Sequence, residues 1–301
     1  MKVLVTGASG QLGKALLASV PEGWECRGLD RAALDLADHV QIARLVRAER
    51  PDLVINAGAF TAVDRAEQEV ELAMAVNAEA PGAFARSLAD HGGRLLQVST
   101  DFVFDGQAKR PYLPNDIRNP LSVYGRSKAL GEDASGDESI ILRTSWIYAA
   151  GGHNFVRTML RLMREQDELR VVNDQVGSPS WAPEAARTIW ALAAADSPGT
   201  YHHRDAGETS WYGFATAIAE EAQALGLVPR LPAVHPISTD QHPTPARRPA
   251  FSVLDDSATR ELLGDSTDHW RENLRRMLVE ELHLAEGYAL LPKPGRQQEA
   301  K

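Results

Sequence analysis

Val3-Leu-Val5 runs into Thr6-Gly-Ala-Ser-Gly-Gln-Leu-Gly13 and then into Lys14-Ala-Leu-Leu-Ala-Ser-Val20. The first run is short and apolar and reads as a strand. The last reads as a helix. Between them glycines stand at positions 7, 10 and 13. Strand, glycine turn and helix form the context that a dinucleotide-binding turn requires. Gly7 would make the tight turn, Gly10 would let the backbone approach a pyrophosphate, and Gly13 would let helix and strand pack closely. The phosphates would sit on the helix N-terminus, where unbonded N–H groups and the dipole favour an anion. Ser9, Gln11 and Leu12 belong to the same turn and count as cofactor-binding candidates with the glycines. The spacing is Gly-x-x-Gly-x-x-Gly rather than Gly-x-Gly-x-x-Gly, and a plain tight turn is the competing reading, so the rest of the chain has to decide.

Two further features agree with the turn. Trp24-Glu-Cys-Arg-Gly-Leu-Asp30 reads as a second strand ending in an acid, about 20 residues on, where such a fold places its ribose-binding carboxylate. Asp30 suits NADH, because a carboxylate repels a 2′-phosphate; Arg31 beside it suits NADPH. Asp35 and Leu36 would border the adenine. Leu53-Val-Ile-Asn-Ala-Gly-Ala59 and Arg94-Leu-Leu-Gln-Val-Ser-Thr-Asp101 are apolar runs that end in small or polar residues. Ligands of open parallel sheets bind outside the carboxyl ends of the strands. Ala57, Gly58 and Ala59 would let a cofactor lie close to their backbone, with Ser99, Thr100 and Asp101 facing the same crevice.

Tyr124 and Lys128, in Leu121-Ser-Val-Tyr-Gly-Arg-Ser-Lys128, carry the chemistry. On a helix this spacing sets both side chains on one face, one turn apart. A free phenol, with a pKa near ~10, is a poor acid–base group at neutral pH. An ammonium one turn away favours the phenolate and lowers that pKa. Such a pair can pass a proton to or from an alcohol or ketone oxygen. Alone it is a weak signal, since most such pairs are solvated helix surface; beside the glycine turn and the strand ends it reads as catalytic.

Together these stretches resemble the extended short-chain dehydrogenase/reductase family, and within it the dTDP-4-dehydrorhamnose reductase branch. The stretches Asn56-Ala-Gly-Ala-Phe-Thr-Ala-Val-Asp64, Ser99-Thr-Asp-Phe-Val-Phe104, Leu142-Arg-Thr-Ser-Trp-Ile-Tyr148, Val172-Asn-Asp-Gln-Val-Gly-Ser-Pro179 and Pro243-Thr-Pro-Ala-Arg-Arg-Pro249 extend the resemblance to about residue 280. It implies that NADPH or NADH reduces the C4 ketone of dTDP-6-deoxy-L-lyxo-4-hexulose to dTDP-L-rhamnose. It implies that Tyr124 donates the proton, Lys128 holds the nicotinamide ribose and Thr100 steadies the carbonyl oxygen. Asp101 and Trp146 would bind the sugar. Arg248, with Arg247 beside it as a second candidate, would grip the diphosphate. Two departures stand out. Gly58 occupies a position where many relatives carry alanine, a harmless change. Pro183 falls where some relatives have a glutamate that shares magnesium across a dimer, with Glu184 one step off; no metal is therefore expected, and a homodimer stays open.

Rival readings remain. A 4,6-dehydratase needs an extra acid after Asp101, where this chain has Phe102. A 4-epimerase, another nucleotide-sugar 4-reductase, or a non-catalytic NADP-binding subunit like the methionine adenosyltransferase beta subunit keep the same frame.

The rest of the chain sets bounds. Its 301 residues hold one large α/β unit or two lobes, and 44% hydrophobic content is ordinary for a globular protein. A net charge of −9 with no long basic run argues against a nucleic-acid surface. Cys26 is the only cysteine, so no internal disulfide forms. No signal peptide or membrane span is visible, and a reducing cytoplasm is the expected setting. The fold expected is a Rossmann-type doubly wound parallel sheet over 1–145, then a smaller substrate-binding lobe over 146–290 with the chain crossing back to the sheet, and a disordered tail over 291–301. Near-helical spacing covers 66–87, where Pro81 should start a new turn or kink the helix. Helices are expected at 154–165, 182–195, 211–225 and 272–284, a returning strand at Gly199-Thr-Tyr-His-His203, and a proline-rich loop at 227–249. His202 and His203, and Trp181, Trp190, Trp211 and Trp270, read as structural.

Overall fold

The computed structural model describes residues 1–264 and 267–285. Five strands come first: β1 (Lys2–Thr6), β2 (Glu25–Leu29), β3 (Leu53–Asn56), β4 (Arg94–Thr100) and β5 (Ile140–Thr144). Gly199–His203 returns to pair with β5. All pair in parallel, in the order Gly199–His203, β5, β4, β3, β1, β2. A parallel sheet is covered on both faces, so its central strands are apolar throughout rather than alternating. Successive side chains still point to opposite faces. Val3, Val5, Leu53, Ile55 and Leu142 meet helices Gln11–Ala18 and Ala182–Ala195, while Leu4, Val54 and Leu95 meet His39–Glu49 and Ala80–Ala89. Leu4 and Ile55 are fully buried between these layers; truncating either to alanine should cost about 2–5 kcal/mol.

From β1 the chain steps outward to β2, then returns to place β3 on the other flank of β1. This reversal opens a crevice at the carboxyl ends of β1 and β3. A buried polar ladder fixes those ends: Thr6 Oγ1 donates to Asn56 Oδ1 (2.6 Å), and Asn56 Nδ2 donates to Gln97 Oε1 (2.7 Å).

In the stretch with near-helical spacing from 66 to 87, Pro81 starts a new helical turn rather than kinking a single helix. The stretch forms Val63–Ala66, Val70–Met74, a π-helical turn Ala75–Glu79, and Ala80–Ala89. Pro81 has no N–H to give to a preceding carbonyl, and it sits in the first turn of the last helix, where none is needed. The wide turn before it carries buried Asn77, whose side chain bonds the Phe60 backbone at 2.8 and 3.0 Å and Ser127 Oγ at 3.0 Å.

The second half packs helices Phe155–Glu165, Trp211–Ala224 and Trp270–Ala285 around Tyr148, Phe214 and Met277. Asn154 and Ser210 cap two of these helices, accepting from Arg157 N and Gly213 N at 3.0 Å each. The stretch 227–249 is not all loop. Ala233–Ile237 pairs in parallel with Glu168–Val172 in a two-stranded sheet. Pro236 is tolerated because this strand has a partner on one side only. Among the described residues no helix is long and apolar enough to cross a membrane. The expected tail over 291–301 lies outside the described residues.

Candidate active site

A cavity of about 1170 Å³ opens along the carboxyl ends of the sheet, above the usual range for a single drug-sized ligand. Every candidate site residue read from the sequence lines it except Arg247. The glycine turn forms one end. Gly7 has φ +65°, and a Cβ there would fall 2.8 Å from Gly58 Cα. A Cβ at Gly13 would lie 2.2 Å from the Gly7 carbonyl oxygen. Helix Gln11–Ala18 starts at Gly10 with no side-chain cap, which leaves its first N–H groups for an anion. Ser9, Gln11 and Leu12 are at this end too. The Gln11 side chain is committed elsewhere: its Oε1 accepts from Ala149 N (2.9 Å) and Asn154 Nδ2 (2.7 Å), so only its backbone is offered to a phosphate.

Asp30 and Arg31 are exposed at the rim beyond β2. Asp30 Oδ1 accepts from Ala33 N at 2.9 Å, and Arg31 makes no ion pair among the described residues. Asp35 and Leu36 line the neighbouring wall, with Ala57, Gly58 and Ala59 as its floor. At 58 a Cβ would press first on the far end of a flexible side chain. A Cβ there would meet Leu36 Cδ1 at 2.8 Å and Thr6 Oγ1 at 3.1 Å, so Leu36 would have to move.

Tyr124 and Lys128 share one face of helix Val123–Ser135, which Ser122 caps by accepting from Gly125 N at 3.1 Å. Gly125 and Gly131 let this helix lie close to its neighbours: a Cβ would fall 2.2 Å from the Phe102 carbonyl oxygen and 2.0 Å from that of Asn77, respectively. The approach brings Tyr124 over the end of β4. Its ring meets Phe102 edge-on, centroids 5.6 Å apart, and its hydroxyl faces that of Thr100. Thr100 Oγ1 donates to Asp101 Oδ1 at 3.0 Å. Asp101 Oδ2 is buried without a partner.

Electrostatically the site differs from the expectation in one respect. Lys128 does not lower the Tyr124 pKa here. Its Nζ donates to the Val98 carbonyl oxygen at 2.6 Å. Burial pushes the Tyr124 phenol up to about 12, against the hydrogen bond with Thr100. Burial also lowers Lys128 to about 8, opposed by the charge of Glu132, and lifts Asp101 to about 6. Tyr124 is thus protonated at neutral pH.

Trp146 has φ +48°, rare for a bulky residue. It stacks on Trp211, centroids 3.5 Å apart and planes 10° apart. Trp211, read from the sequence as structural, also lines the cavity. Trp181, Trp190 and Trp270 are buried. His202 and His203 are buried on opposite sides of their strand, His202 Nδ1 3.0 Å from the Asp255 carbonyl oxygen and His203 Nδ1 2.9 Å from Thr188 Oγ1. Arg248 reaches the cavity but is clasped by Asp64, with Nη2 to Oδ2 at 2.7 Å. Arg247 is exposed and outside the lining. Behind helix Val123–Ser135 lies a network that the sequence did not reveal. Arg143 donates to both Glu132 oxygens, at 2.9 and 2.7 Å, and Ser99 Oγ donates to Glu132 Oε1.

Known proteins share this frame. The family model described as RmlD substrate binding domain matches residues 1–283. A dTDP-4-dehydrorhamnose reductase of Burkholderia thailandensis is 43% identical over 285 residues, covering 90% of this chain and 96% of the relative. A crystal structure of a dTDP-4-dehydrorhamnose reductase from Clostridium acetobutylicum superposes with a TM-score of 0.87 at 36% identity, covering 94% of this chain and 100% of that one. Another, from Bacillus anthracis in complex with NADP, gives 0.86 at 34% identity, covering 93% and 99%. With the fold, the cavity and these likenesses in agreement, the chain belongs to the RmlD substrate binding domain family, that of the dTDP-4-dehydrorhamnose reductases.

Proposed function

We infer that the protein reduces the C4 ketone of dTDP-6-deoxy-L-lyxo-4-hexulose with NADPH or NADH, yielding dTDP-L-rhamnose. The observation that carries this reading is one cavity that joins a glycine-lined anion cradle to a protonated phenol, a hydroxyl and a carboxylate. The cradle fits a dinucleotide: the Gly7–Gly58 approach and the uncapped helix at Gly10 leave room where a Cβ would intrude. The turn Gly7–Gly13 would hold the pyrophosphate, Asp30 and Arg31 the adenosine ribose, and Lys128 the nicotinamide ribose. When bound, the reduced nicotinamide supplies hydride.

The chain's own groups do the rest. Thr100 holds the ketone oxygen through its hydroxyl and steadies the charge that develops there. Tyr124 gives its proton to that oxygen. Lys128, on the same helix face, turns its ammonium to the Val98 carbonyl oxygen and serves the nicotinamide ribose rather than the phenol. Asp101 accepts from a sugar hydroxyl through its unpartnered oxygen. Trp146, braced by Trp211, offers the sugar an apolar wall. Arg248 binds the diphosphate. We divide the chain at about residue 145 into a cofactor half and a sugar-nucleotide half, with Gly199–His203 crossing back to the sheet. A cytoplasmic setting belongs to the same reading, since a lone free thiol at Cys26 suits a reducing compartment.

The test supplies the keto sugar nucleotide and follows the loss of nicotinamide absorbance with each cofactor. Stoichiometric oxidation of NADPH or NADH is expected. Conversion of the sugar without net cofactor consumption would make the protein an epimerase instead.

A further inference from the structure

We propose that Asp64 is a positioning residue for the sugar nucleotide: its carboxylate holds Arg248, and the loop that carries it, in the orientation that meets the diphosphate. The inference deepens the proposed function and rests on its assignment of Arg248.

Asp64 stands in the short helix Val63–Ala66 just after β3, on the cofactor side of the cavity. Arg248 comes from the loop between the short helix Thr239–Gln241 and Phe251. The two lie 184 residues apart in sequence. Arg248 donates through Nη1 to Asp64 Oδ1 (3.1 Å) and through Nη2 to Asp64 Oδ2 (2.7 Å), a two-pronged fit of guanidinium to carboxylate. Asp64 Oδ1 also accepts from the Ala246 backbone N–H at 3.1 Å. One carboxylate therefore grips both the arginine and the loop beneath it. Arg248 Nη1 donates in turn to Thr244 Oγ1 and the Ala246 carbonyl oxygen. Its Nε–H and second Nη2 hydrogen make no bond among the described residues, and a guanidinium has five donors in all. Those two are the donors left for an anion in the cavity.

The loop does not need Asp64 to stay folded over the cavity, because its ends are tied elsewhere. Thr239 N and Oγ1 donate to Asp174 at 2.7–3.0 Å. Ser252 N donates to the Val176 carbonyl oxygen at 2.8 Å. What Asp64 fixes is the middle of the span and the rotamer of Arg248. An arginine held in advance loses less freedom on binding its anion than an unheld one. Arg248 holds the Asp64 carboxyl below the usual carboxylate range, so the clasp is charged at neutral pH. Both side chains are partly exposed, at 23% for Arg248 and 39% for Asp64, which suits a contact at the mouth of a site more than a core ion pair.

The experiment measures inhibition by dTDP against the keto sugar nucleotide, and NADPH affinity by fluorescence, in Asp64→Ala, Asp64→Asn, Arg248→Ala and the Asp64→Ala/Arg248→Ala double variant. Asp64→Ala should raise the dTDP inhibition constant about 3- to 10-fold, with the loss falling on KM rather than kcat. NADPH affinity should move by less than about 2-fold, as should that of Asp64→Asn, which keeps the volume of the side chain if the alanine variant folds poorly. Asp64→Asn should weaken dTDP as well, because it removes the charge of the clasp. Asp64→Glu should recover part of the loss. The double variant should bind dTDP no worse than Arg248→Ala alone, since Asp64 acts through Arg248. An unchanged or tighter dTDP constant in both Asp64→Ala and Asp64→Asn overturns the proposal, the tighter result showing a competing anion. A further loss in the double variant overturns it too. If Arg248→Ala weakens dTDP while the Asp64 variants do not, only this inference falls; if Arg248→Ala itself changes nothing, the diphosphate assignment falls with it.

Discussion

Replacing Tyr124 by phenylalanine removes one oxygen and leaves the ring. The ring keeps its edge-on packing against Phe102, with centroids 5.6 Å apart. The lost hydroxyl faces Thr100. Thr100 Oγ1 stays satisfied, because it donates to Asp101 Oδ1 at 3.0 Å and accepts from Phe102 N at 3.2 Å. No buried group is orphaned, so the stability cost should stay within about 0.5–1.5 kcal/mol, the net worth of one hydrogen bond. The catalytic cost is far larger. The wild-type phenol, at about 12, is fully protonated at neutral pH and available as an acid. A positioned acid contributes about 100- to 10,000-fold, so turnover should fall at least ~100-fold. The assay follows nicotinamide absorbance at saturating keto sugar nucleotide, with NADPH binding and melting temperature measured on the same preparation. Cofactor affinity should survive within a few-fold. Turnover within about 5-fold of wild type, in a variant that binds NADPH normally, would refute Tyr124 as the proton donor.

The pH profile of kcat/KM should be bell-shaped. Burial raises Asp101 to about 6 and lowers Lys128 to about 8, so sugar binding by the carboxylate fades as pH falls through about 6, and the Lys128 charge is lost as pH rises through about 8. Asp101→Asn should erase the acid limb and keep the basic one; a wild-type profile flat from about pH 5 to about pH 9 contradicts both assignments. Asp30→Ala should shift the ratio of catalytic efficiencies towards NADPH, because a carboxylate that repels a 2′-phosphate is lost while Arg31 remains; an unchanged ratio would show that Asp30 does not touch the ribose. Gly13→Ala should weaken NADPH at least ~10-fold in a fluorescence titration, since its Cβ would lie 2.2 Å from the Gly7 carbonyl oxygen and 2.8 Å from Ala8 Cα, both backbone atoms. Normal affinity there would mean that the turn need not be as tight as it is drawn.

What the sequence disclosed and what it hid follow from the range of the interactions. The glycine turn, the strand ends and the Tyr124–Lys128 helix are local patterns, each set by a few neighbouring residues, and all of them converge on one cavity. The clasp of Asp64 on Arg248 joins residues 184 apart and leaves no local trace. Trp211 looked like core because an apolar residue at the start of a helix packs inward in most folds; its stack on Trp146 depends on a backbone turned to φ +48°. The π-helical turn at Ala75–Glu79 also escaped notice, since its spacing differs from that of an ordinary helix by one residue. The proline-rich stretch around 233–237 hid a strand because a proline is tolerated where only one edge is paired. The Tyr124 phenol stands higher than the motif alone suggested, because a helix spacing reveals neither the burial that raises it nor that the Lys128 ammonium turns to the Val98 carbonyl.

The central claim is a net hydride transfer to C4 of a dTDP-linked keto sugar, and isotope transfer tests it most directly. The keto sugar nucleotide is incubated with NADPH carrying deuterium at the transferring position of the nicotinamide, and the sugar product is read by mass spectrometry and proton NMR. The reductase reading requires one deuterium per product, located at C4 of dTDP-L-rhamnose, with one NADP formed for each. A product without deuterium, or sugar conversion that leaves the NADPH unoxidised, would contradict it.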